Sequence, residues 1–261
     1  MIINSKPLRL GFLFSILTLS TSLFAEIYMD SFESDLPLEA RWQLDKKAEC
    51  VIERSETRSR AGATGLLFSA GPNARCEIVP KMYSNWLSAQ MREPFGEDRW
   101  YAFSVFLEEP WGVVSENEVI AQWHSSKDWF FGDKSGRGPP LALRILGSNW
   151  RVTYGWDADL ASEPGPKAIY PLWVGPYQTG VWTDWVFQVR WSHENDGRLR
   201  IWKDGELLVD HSGPNAYNDI RGVYIKMGSY HPAIPRRLYL DEIRIGDSSE
   251  SYETVRPNGD K

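Results

Sequence analysis

Apolar and polar residues alternate in short runs along this chain, and no long segment repeats at the 3.6-residue period of an amphipathic helix. Runs of this kind, separated by Gly, Pro, Asn and Asp, predict strands. The pattern places them over 26–32, 50–53, 65–70, 74–79, 100–107, 119–126, 141–146, 150–156, 181–192, 198–202, 206–210, 222–230 and 237–245. The run 100–107 is apolar on both faces, which predicts a central strand. Lys203-Asp204-Gly205 and Gly147-Ser148-Asn149 read as hairpin turns. Residues 82–91 read as a short helix or irregular loop, and 128–140 as a polar loop carrying Trp129, Phe130 and Phe131. Four prolines make 157–180 a long coil that could wall a groove. Together these elements predict an all-β single domain, a β-jelly-roll sandwich of two antiparallel sheets of the concanavalin-like kind. It is expected to span residues 26–250, with a flexible polar tail over 251–261.

Two strands carry an informative polar face. In Ala121-Gln122-Trp123-His124, Gln122 and His124 share one side of a strand whose other side holds Ala121 and Trp123. In Tyr224-Ile225-Lys226-Met227-Gly228-Ser229-Tyr230, alternation groups Lys226, Gly228 and Tyr230 against Ile225 and Met227. Arg75 and Glu77 share a face of their strand. In 181–192, Trp185, Phe187, Val189 and Trp191 oppose Val186, Gln188 and Arg190.

The first residues read as an export signal. Lys6 and Arg9 precede an apolar run that ends in small residues before Ala25, so residues 1–25 are expected to be removed. The run is shorter than the ~20 residues a membrane span needs. A periplasmic or secreted protein with no membrane partner is expected. Cleavage removes two cations and moves the formal charge from −6 to −8. That balance argues against nucleic acid as a partner, because phosphate binding rests on Lys and Arg. Cys50 and Cys76, an even pair in an oxidising compartment, predict a disulfide. Thirteen tryptophans exceed what a core of this size ordinarily needs, which suggests sugar-stacking surfaces.

The chemistry open to these residues is limited. No Ser–His–Asp constellation and no zinc-ligand spacing is present. Asp241 and Glu242 are adjacent and so point to opposite strand faces, which weakens a glycosidase carboxylate pair. Gln122, His124, Lys226 and Tyr230 do suit β-elimination at a uronic acid. That reaction needs a neutraliser for the carboxylate beside C5, a base for the C5 proton and an acid for the departing O4. No cofactor is required.

The ordered set Ile120-Ala121-Gln122-Trp123-His124, Pro139-Pro140-Leu141-Ala142 and Tyr224 to Tyr230 resembles the motifs of β-jelly-roll polysaccharide lyases, the heparinase-I-like and glucuronan lyase groups. Trp182-Thr183-Asp184-Trp185 and the stretch from Gly197 to Gly205 are similar to further landmarks of these groups. The resemblance implies that His124 is the base, Tyr230 the acid or both acid and base, and Gln122 the carboxylate neutraliser. It implies that Lys226 and Arg75 line the substrate site, with Glu77 orienting Arg75. Gln188 and Arg190 are further substrate-binding candidates. Related sandwiches hold a structural Ca²⁺, for which Asn218 and Asp241 are the candidates. The chain departs from the glucuronan lyases in having no histidine before His124, and from heparinases in lacking a basic inserted lobe. The expected substrate is an acidic polysaccharide, glucuronan- or alginate-like rather than heparin, acted on by a monomer. A non-catalytic lectin-like sandwich is the alternative reading.

Overall fold

The computed structural model describes residues 27–83, 93–133, 138–161 and 169–258. The expected export signal lies outside them, as does most of the expected helix or loop at 82–91. Two antiparallel sheets face each other. The strands, numbered along the chain, are β1 (Tyr28–Asp30), β2 (Trp42–Lys47), β3 (Cys50–Ser55), β4 (Gly65–Ala70), β5 (Arg75–Pro80), β6 (Asp98–Leu107), β7 (Val114–His124), β8 (Leu141–Gly147), β9 (Asn149–Tyr154), β10 (Tyr170–Pro176), β11 (Trp182–Arg190), β12 (Arg198–Lys203), β13 (Glu206–Ser212), β14 (Tyr224–Tyr230) and β15 (Arg236–Gly246). The eight-stranded sheet runs β13-β12-β11-β6-β15-β4-β3, with β1 also on β15; the seven-stranded sheet runs β10-β9-β8-β7-β14-β5-β2. The fold is the expected jelly roll.

Alternation explains why the layers close. The inward residues of β7 and β14 (Ala121, Trp123, Ile225, Met227) join those of β11 (Trp185, Phe187, Val189) in one core. Trp123 from one sheet packs on Phe187 of the other, 4.7 Å between ring centres. Among the described residues seven tryptophans are buried, so these seven belong to the core rather than to a sugar-binding surface. Cys50 and Cys76 form the expected disulfide, which ties β3 of one sheet to β5 of the other.

Two expectations are corrected and one strand is added. The presumed coil at 157–180 contains β10, which pairs with β9 despite Pro171 and Pro176, because an edge strand tolerates residues without a donor. Strand β2 was not anticipated. The tail is not frayed over its described residues: Tyr252–Val255 form a helical turn, α1, capped by Ser251, and Val255 is buried beside Trp100 and Val186.

Candidate active site

The polar faces of β5, β7 and β14 meet on the outer side of the seven-stranded sheet. Register sets Lys226 beside Gln122, Tyr224 beside His124, and Tyr230 beside both Val119 and Arg75. Gln122 donates from Nε2 to Glu77 Oε1 at 2.5 Å. Lys226 donates from Nζ to Asp45 Oδ2 at 2.7 Å. Asp45, on β2, also lies 3.5 Å from Arg75. The Arg75 guanidinium sits over the Tyr230 ring, 4.7 Å from its centre, and 3.7 Å from Glu77.

The electrostatics follow from burial. Glu77 is only 2 % exposed. Loss of solvent pushes its carboxyl above the usual range, while Lys226, the Gln122 amide and Arg75 pull the other way. Burial works against the Arg75 charge, but Tyr230, Asp45 and Glu77 outweigh it and hold the guanidinium above its ordinary value.

Tyr230 owes its position to a bulge. The β14–β7 register shifts between Met227 and Tyr230, where Gly228 has φ of +139°. A Cβ on Gly228 would stand 2.1 Å from the Cys76 carbonyl oxygen and against the Phe68 ring. Gly228 therefore does not share the open face with Lys226 and Tyr230, as strict alternation predicts; the turn it makes brings Tyr230 out again.

His124 occupies the other end of this face. Its Nδ1 lies 2.7 Å from the Ser125 carbonyl oxygen, which requires an Nδ1–H donor. In the neutral ring Nε2 then carries the lone pair. His124 lines a cleft of about 550 Å³ with Lys127, Phe130, Arg221 and Tyr224. Tyr230 lines a different one, of about 540 Å³, with Asn73, Glu116, Arg144 and His231. Five residue steps on β7 separate His124 from Val119, the partner of Tyr230; at the rise of a strand this is roughly 16 Å between backbone positions. The two residues flank Gln122 and Lys226 from opposite ends.

Four further candidates fall elsewhere. Gln188 and Arg190 are on β11 of the opposite sheet and both bond Asp98. Alternation turned them outward correctly, but the outer faces of the two sheets look in opposite directions. Asn218 bonds the Ala158 carbonyl, whereas Asp241 accepts the backbone N–H groups of Arg60, Ala61 and Glu242. The structure does not bring the two calcium candidates together. Among the described residues, no group of three or more His, Cys, Asp or Glu is arranged to hold a metal ion. Asp45 and Arg144 are site residues that the sequence reading missed. Only the cross-strand pairings, β2 with β5 and β8 with β7, bring them to this face.

The jelly roll thus gathers a phenol, an amide and several cations on one outer sheet face. The polysaccharide lyase family model matches residues 38–244, and the chain belongs to that family: it is a lyase. No curated protein matches it in sequence. Among solved structures it is similar to an endo-β-1,4-glucuronan lyase from the fungus Trichoderma reesei (TM-score 0.70, 18% identity, 85% of this chain and 96% of that one). It is also similar to the cellulose induced protein Cip1 (TM-score 0.54, 14% identity, 84% and 96%). The alginate lyase AlyC3 in complex with dimannuronate aligns with a TM-score of 0.50 at 14% identity, over 72% and 76% of the two chains. No helix among the described residues is long and apolar enough to cross a membrane.

Proposed function

We propose that this lyase cleaves a uronic-acid-containing polysaccharide, glucuronan- or alginate-like, by β-elimination on the outer face of the seven-stranded sheet. The observation that carries the reading is the Arg75–Tyr230 stack with Gln122 and Lys226 on the neighbouring positions. A uronate carboxylate seated over Gln122, Lys226 and Arg75 would have its charge offset, which lowers the cost of the enolate-like intermediate. The C5–H bond breaks and its proton passes to His124 Nε2. The electron pair left behind forms the C4–C5 double bond. The C4–O4 bond breaks, and the departing oxygen takes the Tyr230 proton. The sugar ring lies between the two flanking residues. The glucuronan and alginate lyases among the structural relatives support a polyuronate substrate. The Cys50–Cys76 disulfide supports a location outside the reducing cytoplasm.

The test is to incubate the mature protein with glucuronan, alginate and heparin and follow the ultraviolet absorbance of the unsaturated uronate. A lyase acting on polyuronates produces that signal; reducing ends without it would mean hydrolysis, and neither would mean binding alone. Tyr230→Phe and His124→Ala are each expected to lower kcat by about 10²–10⁴-fold, the usual worth of a positioned acid or base. Wild-type rates in both variants would place the chemistry elsewhere.

A further inference from the structure

Successive strand pairings align six residues in one row across the seven-stranded sheet. Arg151 of β9 pairs with Arg144 of β8, and Arg144 with Val119 of β7. Val119 pairs with Tyr230 of β14, Tyr230 with Arg75 of β5, and Arg75 with Lys47 of β2. With neighbouring strands about 4.8 Å apart, the row is roughly 24 Å long. Tyr230 stands within it, with cations on either side.

The two sides differ in one respect. Arg75 has Asp45 and Glu77 to offset its charge. Arg144 and Arg151 face each other directly, an arrangement that costs free energy, and among the described residues no carboxylate pairs with either. The Arg144 Nε donates to a neutral acceptor, Thr153 Oγ1, at 3.1 Å. The Arg151 Nε is buried with no hydrogen-bond partner. Glu116 lines the same cleft as Arg144 and Tyr230 but is exposed and ion-pairs with neither arginine. Burial, and then the Arg151 charge, pull the Arg144 guanidinium below its ordinary value. Partly buried cations without a counter-ion are expensive to keep.

We propose that Arg144 and Arg151 form an anion subsite that takes the carboxylate of a second uronate unit, so that the polymer lies across the strands along this row. The proposal rests on the polyuronate reading above and names where the neighbouring sugar binds. Guanidinium suits the role because its planar fork matches a carboxylate in bidentate fashion. The bound anion would supply the negative charge that the Arg144–Arg151 pair lacks.

The experiment reads the arginines directly and needs no turnover. The Nε–H resonances of ¹⁵N-labelled protein are assigned through Arg144→Gln and Arg151→Gln, and the wild type is titrated with sodium glucuronate and, separately, with glucose. Both resonances are expected to shift together and saturably with glucuronate and not with glucose. No shift, or equal shifts with both sugars, would overturn the subsite. Should the glutamine variants fail to fold, Arg144→Lys and Arg151→Lys keep the charge, lose the fork and serve for assignment. In steady-state kinetics on the polymer, the loss in Arg151→Gln is expected to fall on KM, by about tenfold, rather than on kcat; a loss confined to kcat would also count against the subsite. A wild-type protein that forms no unsaturated product would sink the polyuronate lyase reading, while the guanidinium titration would still decide the subsite.

Discussion

The Asp241 carboxylate accepts three backbone N–H groups, from Arg60, Ala61 and Glu242, yet burial outweighs those bonds and pushes its pKa up to about 7. The folded protein therefore keeps this proton up to about pH 7, whereas an unfolded chain releases it near the ordinary carboxyl value of 3.8. The stability this residue contributes is complete below that lower value and is lost as pH rises through about 7. Urea unfolding between pH 5 and 8 should show a decline in the wild type that is absent from Asp241→Asn; parallel profiles would rule this origin out. At this scale much of the site was legible. Alternation alone put Arg75 with Glu77 and Gln122 with His124, because side-chain direction in a strand is local. What it could not supply was the sheet to which a strand belongs, and so Gln188 and Arg190 were taken as substrate-binding candidates although they lie on the opposite sheet. Asp45, Arg144 and Arg151 were missed for the same reason: an outward polar residue looks ordinary until its cross-strand neighbours are known.

Strand β14 shows how an element can depend on one backbone position. Gly228 holds a φ that side chains rarely adopt, in a space closed by the Cys76 carbonyl and the Phe68 ring. Gly228→Ala should cost roughly 2–3 kcal/mol of stability and displace Tyr230 from Arg75, lowering lyase activity with it. Denaturant midpoint and product absorbance together check this; a variant as stable and as active as the wild type would mean that the bulge is incidental. Most strands were readable from their apolar rhythm. β10 was not, since Pro171 and Pro176 are signals against a strand that only its edge position overrides. The α1 turn was also hidden. Its capping box joins Ser251 and Thr254, but Val255 finds its apolar setting beside Trp100 and Val186, far earlier in the chain.

At the scale of the whole molecule, the disulfide joins the two layers, and one of its ends lies between Arg75 and Glu77. Replacing both cysteines by serine should lower the unfolding free energy by roughly 3 kcal/mol, as expected for a loop of this length. Calorimetry under matched conditions checks the figure, and an unchanged melting temperature would show the crosslink to be dispensable. The two-sheet architecture followed from many short alternating runs, whereas the strand order that brings β5, β14 and β7 side by side is a long-range property. Burial of Trp42, Trp100, Trp111, Trp123, Trp150, Trp185 and Trp191 has a practical outcome for spectroscopy. Indoles sealed from water emit at the blue end of their range, and a sugar seated over Tyr230 touches none of these seven. The emission of these seven indoles thus reports whether the sandwich is intact, and a change on adding sugar has to come from outer tryptophans such as Trp156.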